Sequence, residues 1–335
     1  MQAALRLWAG RGFLRYAMEG KGRPSMEFAH VALEMVMVSL PILLGWAVCK
    51  LGLMSAQFER ELSTLVLNVA LPCLVLSSIF GNSKMPGGVE SLQLMGGMLA
   101  FYVLAFVIAC IMTALMRAPE GAKGVYRFII TFGNCGFIGF PVITAIMGKQ
   151  ALVYAAVGLI PANFFIFTVG IMLFSGMEGG RKKVLKSALA CCKMPTLIAS
   201  FIVLACMFTG FTNWGFVGDS IDLVGQMTTP AALLLMGASI SHYKPVSMLT
   251  NWRAYVAAAG RLVVVPLAGM VLLRAVGVEP YIVAVLVLES AMPVASNGTL
   301  YAIQYGVDTK PMMQGTFISI VASILTIPLV TVIAG

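Results

Sequence analysis

The chain has 335 residues, of which 60% are hydrophobic and only 10% are charged, and its mean hydropathy is +0.95. No soluble core needs so much apolar sequence, so the composition excludes a soluble globular enzyme or binding domain. The net charge of +9 does not indicate a nucleic-acid partner, because the positive residues are confined to loops and no aromatic-basic motif accompanies them.

Residues 1–25 form a basic segment that precedes the first apolar stretch. They lack the uninterrupted apolar core of a signal peptide. Two interpretations remain open: either translation starts naturally at Met26 and residues 1–25 are an upstream extension, or these residues form an amphipathic helix that lies on membrane lipid. The apolar side chains of such a helix would be Leu5, Leu7, Trp8, Phe13, Leu14 and Tyr16.

Ten apolar segments follow, each near the roughly 20 residues that a helix needs to cross a bilayer. In chain order, spans 1 to 10 are predicted at residues 31–53, 62–80, 92–116, 126–148, 151–175, 194–212, 221–241, 251–276, 281–303 and 312–334. The fold class is therefore predicted to be an all-α membrane protein with ten transmembrane helices and no sizeable soluble domain.

The chain divides into two halves of five spans, residues 26–177 and 194–335, joined by a basic loop at residues 178–193. Because five is an odd number, the second half is inverted in the membrane relative to the first. Proline positions repeat between the halves: Pro72 in span 2 and Pro230 in span 7 are 158 positions apart. We therefore predict two inverted five-helix repeats.

The orientation follows from lysine and arginine, which cytoplasmic loops retain. The loops after the even-numbered spans contain only Lys84, Lys149 and Arg274. The loops after the odd-numbered spans contain thirteen such residues: Lys50, Arg60, Arg117, Lys123, Arg127, Arg181, Lys182, Lys183, Lys186, Lys193, Lys244, Arg253 and Lys310. This bias predicts a plasma (inner) membrane protein with a cytoplasmic central loop and both termini outside; the basic segment 1–25 is the one feature that opposes it.

Spans 4 and 9 are interrupted by residues that weaken helices. Residues 133–141 read Gly-Asn-Cys-Gly-Phe-Ile-Gly-Phe-Pro, and residues 291–298 read Ala-Met-Pro-Val-Ala-Ser-Asn-Gly. Broken backbone at membrane depth must line a cavity or be buried in protein. A broken helix in each half is typical of secondary transporters that hold their substrate between the two breaks.

Half-helices that begin at a break expose unpaired N–H groups and a partial positive charge, which suit a carboxylate. The asparagines could instead only cap the broken helices, and the glycines could only allow close crossing. In span 5, the asparagine beside Pro161 could be a packing position. With these alternatives open, the candidate substrate-binding residues are Asn134, Gly136, Pro141, Pro293, Asn297 and Asn163.

Two ionisable residues inside spans are candidates for coupling or gating, because such residues are costly in a membrane. Glu289 lies four residues before Pro293 in span 9 and could carry a proton, or it could make a structural hydrogen bond. Arg261 in span 8 could pair with Glu289, attract an anion or extend towards the cytoplasmic face. Two further carboxylates, Glu34 and Asp222, are predicted near the starts of spans 1 and 7, where they would suit a helix N-terminus.

No metal site or enzyme chemistry is predicted. The seven cysteines show no Cys-x-x-Cys spacing, and the two histidines, His30 and His242, form no His-Glu-x-x-His pattern. No nucleophile and base are paired in the sequence. The expected cofactor set is therefore empty, apart from a coupling ion, H⁺ or Na⁺.

The broken-span motifs resemble those of the auxin efflux carrier family in its bacterial branch. The resemblance rests on Gly-Asn-x-Gly-Phe-x-Gly-x-Pro in span 4, Leu71-Pro72 in span 2, Met-Pro-x-Ala-x-Asn in span 9 and Thr-Ile-Pro-Leu at 326–329. It implies unwound spans 4 and 9 that cross near the midplane, a scaffold of spans 1, 2, 6 and 7, and a moving unit of spans 3–5 and 8–10. It also implies an organic anion substrate, auxin-like or malate- or malonate-like, with the short central loop favouring a dicarboxylate.

The sequence and the family resemblance together predict a secondary transporter of a small organic anion that works by alternating access. Two alternatives remain: a sodium-coupled organic anion symporter of the bile-acid type, and a membrane sensor that binds the anion without moving it. The predicted partners are the substrate and membrane lipid, without nucleic acid, and a homodimer is one option for the assembly.

Overall fold

A computed structural model describes residues 28–80, 86–175, 189, 192–242 and 245–334. All secondary-structure elements in this part of the chain are helices, and it contains no β-strand. The predictions for the basic segment 1–25, and for most of the central loop at 178–193, fall outside the described residues.

Six helices lie in the described residues of the first half. They are α1 (Phe28–Lys50), α2 (Ala56–Ser77), α3 (Gly88–Leu115), α4 (Glu120–Thr131), α5 (Cys135–Met147) and α6 (Lys149–Ser175). Ser55 is the N-cap of α2, and its hydroxyl accepts a hydrogen bond from the N–H of Phe58. Further along, α2 contains a π-helical turn at Val66–Ala70, directly before Leu71 and Pro72. The predicted span 4 corresponds to two helices, α4 and α5, separated by residues 132–134.

The described part of the second half contains seven helices. Its helices are α7 (Pro195–Thr209), α8 (Gly215–Ser241), the short α9 (Pro245–Met248), α10 (Trp252–Ala275), α11 (Pro280–Ser290), α12 (Asn297–Gln304) and α13 (Thr309–Ala334). The predicted span 9 corresponds to α11 and α12, separated by residues 291–296. Thus every predicted span coincides with a helix or a pair of half-helices, although several helices begin earlier than predicted.

Within the described part of the chain, six helices are long and apolar enough to cross a membrane: α2, α3, α6, α8, α10 and α13. Large apolar side chains are exposed along their outer faces. On α3 these are Val89, Leu92, Leu99, Val103, Val107, Ile111 and Leu115, at the three- or four-residue steps of one helix face for most of its length. An apolar stripe of this length on the surface suits lipid rather than water.

Asp222 differs from its prediction. Helix α8 begins at Gly215, so Asp222 lies two turns inside the helix rather than at its N-terminus. Its carboxylate forms an ion pair with Lys149 at the start of α6 and accepts a hydrogen bond from Gln226. Asp222 therefore links two helices instead of interacting with the end of its own. The side chain of Glu34 lies outside the described part of the chain.

Candidate functional site

The two helix breaks lie against each other and form a crossing. The N–H of Asn134 donates to the carbonyl of Pro293 at 2.8 Å, and the N–H of Ala295 donates to the carbonyl of Phe132 at 3.0 Å. Gly133 and Val294 face each other at the centre as an isolated antiparallel bridge. Each break thus satisfies polar groups of the other, which is required of broken backbone away from water.

Asn134 both caps its own half-helix and contacts the other one. Its side-chain oxygen accepts from the N–H of Phe137 at 3.0 Å, in the manner of an N-cap for α5. Its side-chain nitrogen donates to the hydroxyl of Ser296, just before α12, at 3.2 Å. The capping alternative for Asn134 is therefore present in the structure, and the amide is held in one orientation between the N-termini of α5 and α12.

Asn297 opens α12 without a capping role. Its side chain is half-buried and makes no hydrogen bond to the described residues, while the neighbouring Ser296 is exposed. The starts of α5 and α12 lie close together, because the side chain of Asn134, directly before α5, donates to Ser296, directly before α12. In these first turns the N–H groups of Phe137, Gly298 and Thr299 already have acceptors, namely the side chain of Asn134 and the carbonyls of Ala295 and Ser296. The arrangement places donors and two helix N-termini together, which is suited to an anion.

Arg261 is bound to backbone carbonyls at the crossing. It lies in a π-helical turn of α10, and its side chain is 1% exposed. Its Nε donates to the carbonyl of Met292 at 3.1 Å, and its Nη1 donates to the carbonyl of Thr131, the last residue of α4, at 2.9 Å. A cation at these carbonyls neutralises the partial negative charge where α4 ends. Because the side chain is buried, the prediction that it reaches towards the membrane face is wrong.

Gly133 is required at the crossing because Arg261 lies directly on it. A Cβ at Gly133 would overlap the guanidinium group of Arg261. Gly136 is different, since a Cβ there would meet nothing closer than 3.8 Å. Close packing therefore demands glycine at 133, and also at 298, where a Cβ would be 2.2 Å from Met312, whereas a Cβ at the predicted Gly136 would make only ordinary van der Waals contacts.

Glu289 is buried next to the crossing without a partner for its carboxyl group. The side chain is 0% exposed, and neither oxygen has a hydrogen-bond partner among the described residues. It forms no ion pair with Arg261, contrary to one of the predicted alternatives. Its backbone carbonyl lies 3.5 Å from the thiol of Cys135, which in turn contacts the hydroxyl of Tyr102. The carboxyl group itself lies beside Gly158 of α6, where a Cβ would be 3.1 Å from Oε2.

The remaining predicted residues lie at different distances from this geometry. Pro293 takes part in the crossing through its carbonyl. Pro141 is buried in α5, where it follows the π-helical turn at Cys135–Gly139. Asn163 in α6 is half-buried, and its side chain makes no hydrogen bond to the described residues of the breaks. The ring of Phe165, two residues further on, stacks on Tyr102 with 5.4 Å between ring centroids.

Two serine side chains, those of Ser319 and Ser296, also bind at the crossing and were not among the predicted site residues. The hydroxyl of Ser319, in α13, accepts from the N–H of Val294 at 3.1 Å. Ser296 accepts from Asn134, as described above. A serine in an apolar helix is an ordinary packing residue in sequence terms, so no local signal distinguished Ser319 from its neighbours.

The sequence of this chain is similar to those of several transporters. Among relatives, an uncharacterized transporter of Methanocaldococcus jannaschii is 24% identical over 302 residues, covering 88% of this chain and 96% of the relative. A Rhizobium meliloti protein with the name "Putative malonate transporter" is 25% identical over 295 residues, covering 85% and 90%, and the uncharacterized transporter YfdV of Escherichia coli is 22% identical over 310 residues, covering 88% and 95%.

A family model described as membrane transport protein matches residues 30–331, which is most of the chain. The described helices, both breaks and the crossing all lie within that range apart from the ends of α1 and α13. The chain therefore belongs to the membrane transport protein family, the auxin efflux carrier family that its broken-span motifs resemble.

Proposed function

We propose that this protein is a secondary transporter of a small organic anion and that it works by alternating access with the substrate at the crossing. The observation that carries this proposal is the pair of breaks held together by Asn134, with the N-termini of α5 and α12 on one open side. Such a site offers two helix N-termini and the amide of Asn134, and the cation of Arg261 is already held by two carbonyls, so the site can bind an anion and release it again.

A two-fold relation between the breaks supports the inverted repeat. The two hydrogen bonds between them are reciprocal: Phe132 corresponds to Pro293, since 293 − 132 = 161, and Asn134 corresponds to Ala295, since 295 − 134 = 161. Each break gives one bond and receives one. Any antiparallel bridge has such a reciprocal pair, so the support for two inverted halves comes from the position of the breaks, one in the fourth predicted span of each half. The lysine and arginine distribution supports the further proposal that the central loop is cytoplasmic and both termini are outside.

The distribution of buried apolar residues supports a moving unit and a scaffold. One buried cluster takes its members from α3, α4, α6, α10, α11, α12, α13 and the segments next to them, which belong to the predicted spans 3–5 and 8–10 or directly adjoin them. A second buried cluster is the contact between the two units, since it joins Ile42 of α1 and Leu233 of α8 with Val285 of α11. On the open side, Phe137 in α5 packs against Val66 of α2 and Leu235 of α8. The substrate would therefore lie between the crossing and the helices of the scaffold.

A short dicarboxylate is the substrate class that fits best. Two N-termini at one site can each interact with one carboxylate, and Asn134 lies between them. The Rhizobium meliloti relative has malonate in its name, which agrees with this class. We further propose that Glu289 carries a coupling proton, because a buried carboxyl group without a partner is stable there only while it is uncharged.

The test is uptake into proteoliposomes that contain the purified protein. Radiolabelled malonate, malate and indole-acetate would each be offered with a proton gradient, with a sodium gradient and with neither. We expect saturable malonate or malate uptake that depends on the proton gradient. Empty liposomes and the Asn297→Ala variant, which we expect to fold but to bind the anion weakly, serve as controls.

Each other outcome supports a different alternative. Uptake that vanishes when choline replaces sodium, whatever the proton gradient, would support a sodium-coupled symporter of the bile-acid type. Saturable binding without uptake under any gradient would support a membrane sensor. Absence of both binding and uptake for all three anions would overturn the proposed substrate class.

A further inference from the structure

Three residues with metal-binding side chains meet far from the crossing. Cys49 lies in the last turn of α1, Glu59 in the first turn of α2, and His242 directly after α8. Their ligand atoms all lie within 4.8 Å of one another. It is the one group of three cysteine, histidine or acidic residues with this geometry among the described residues.

The contacts inside this cluster are already close to those of a metal site. The Cys49 Sγ lies 3.3 Å from Glu59 Oε1, and the His242 Nε2 lies 3.0 Å from Glu59 Oε1 and 2.9 Å from Glu59 Oε2. Ligand atoms around a tetrahedral zinc ion are about 3.5 Å apart, given Zn–S, Zn–N and Zn–O distances of about 2.3, 2.0 and 2.1 Å. To admit the ion, the two contacts to Glu59 must widen by a few tenths of an ångström, and Cys49 Sγ and His242 Nε2, which lie within 4.8 Å of each other, must close by up to about 1.3 Å.

The helices that carry two of these residues are held rigidly. A Cβ at Gly45 in α1 would overlap the carbonyl oxygen of Leu234 in α8, and a Cβ at Gly237 in α8 would overlap that of Ile42 in α1. Backbone contact through two glycines fixes the two helices against each other. Cys49 follows Gly45 by one turn, and His242 follows Gly237 by five residues, so their positions are set by this contact.

We propose that Cys49, Glu59 and His242 bind a zinc-class divalent cation that joins the ends of α1, α2 and α8. The set contains one thiolate, one carboxylate and one imidazole, all of which are ordinary zinc ligands, and the two negative charges balance the ion. The His242 side chain is 50% exposed, so water can complete the coordination. The proposal is independent of transport and of the crossing.

Cobalt provides the direct test, because a cobalt–thiolate bond absorbs in the near ultraviolet. The purified full-length protein in detergent, kept reduced, would be titrated with Co²⁺ and then with Zn²⁺. We expect one Co²⁺ per chain with a thiolate charge-transfer band that Zn²⁺ abolishes. Cys49→Ser should remove the band, and Glu59→Gln and His242→Ala should each weaken cobalt binding by at least about tenfold.

Matched variants control for unrelated ligands. Cys192→Ser removes an exposed thiol outside the cluster, and His30→Ala removes the other histidine of the chain, so both should bind Co²⁺ as the unmodified protein does. A titration without saturable cobalt binding would overturn the proposal, and so would a charge-transfer band that survives in Cys49→Ser.

A second measurement needs no variant and therefore does not depend on whether a variant folds. Thiol alkylation of the unmodified protein, read by mass spectrometry at each cysteine, would be compared with and without Zn²⁺. We expect Zn²⁺ to protect Cys49 selectively and to leave Cys192 reactive. Equal alkylation of Cys49 in both conditions would refute the site.

Discussion

The two broken spans share a backbone arrangement but differ in chemistry. The first break is three residues long, and Asn134 caps the half-helix that follows it. The second break is six residues long, and α12 begins after Ser296 without a side-chain cap. At the crossing they exchange equivalent hydrogen bonds, yet each presents different side chains to the site.

The supporting residues differ in the same way. Arg261, in the second half of the chain, donates to the carbonyls of Thr131, directly before the first break, and of Met292, in the second break. Glu289 is buried two residues before the second break. In the first half, Tyr102 in α3 contacts the break through Cys135, and the described residues of α4 contain no buried carboxylate. A shared backbone arrangement thus supports asymmetric chemistry, and the first break provides the ordered amide while the second provides the open half-helix.

The largest expected effect is on stability, from Arg261→Met. This variant removes two hydrogen bonds from a charged donor, each worth about 1.5–3 kcal/mol, and leaves the carbonyls of Thr131 and Met292 buried and unpaired. We expect a loss of at least about 3 kcal/mol in the free energy of unfolding in detergent. Arg253→Met is the control, because Arg253 is half-buried and bonds only the carbonyl of Met116, so its loss should cost clearly less. Equal costs for the two variants would show that Arg261 does not hold the crossing together.

A smaller loss of stability is expected for Gly133→Ala. The added methyl group would overlap the Arg261 guanidinium, and overpacking of this kind costs about 1–3 kcal/mol. Gly136→Ala adds the same methyl group where nothing lies closer than 3.8 Å, so its unfolding free energy should change by less than about 0.5 kcal/mol. If both alanines are tolerated equally, the two breaks are not packed as described.

The two asparagines should separate stability from binding. Asn134→Ala removes an N-cap and should cost about 0.5–2 kcal/mol of stability, together with substrate affinity. Asn297→Ala should leave the unfolding free energy unchanged and weaken binding of the transported anion by about 1.5–3 kcal/mol, as expected when a hydrogen bond to a charged group is lost. The measurements are unfolding and equilibrium binding for each variant. Unchanged anion affinity in both would remove the substrate site from the crossing.

Glu289→Gln, like Asn297→Ala, is expected to leave the free energy of unfolding nearly unchanged. The carboxyl group has no hydrogen-bond partner to lose among the described residues, and the amide has nearly the same shape. The amide cannot exchange a proton, so transport should lose its dependence on pH while the anion still binds. Uptake as a function of pH, with wild-type protein alongside, is the measurement. A folded variant with the wild-type pH profile would exclude Glu289 as the proton carrier.

Much of the architecture could be predicted from the sequence because membrane helices report themselves locally. Length and apolarity located the helices, and glycine, proline and asparagine located both breaks. The sequence also indicated Asn134, Pro293, Arg261 and Glu289, because polar residues inside apolar spans are rare and costly. The start of α8 was missed by six residues, since Gly215–Ser220 lacks the apolar run that identified the other spans.

The sequence by itself determined that this is a helical membrane protein with two broken spans, because hydropathy and helix breaking act over a few neighbouring residues. Only the tertiary structure decided which groups meet. Arg261 meets the carbonyls of Thr131 and Met292, and Ser319 meets the N–H of Val294. Cys49 meets Glu59 and His242. These partners are separated by up to 193 positions, since 242 − 49 = 193. Contacts of that kind depend on helix packing, which hydropathy does not encode.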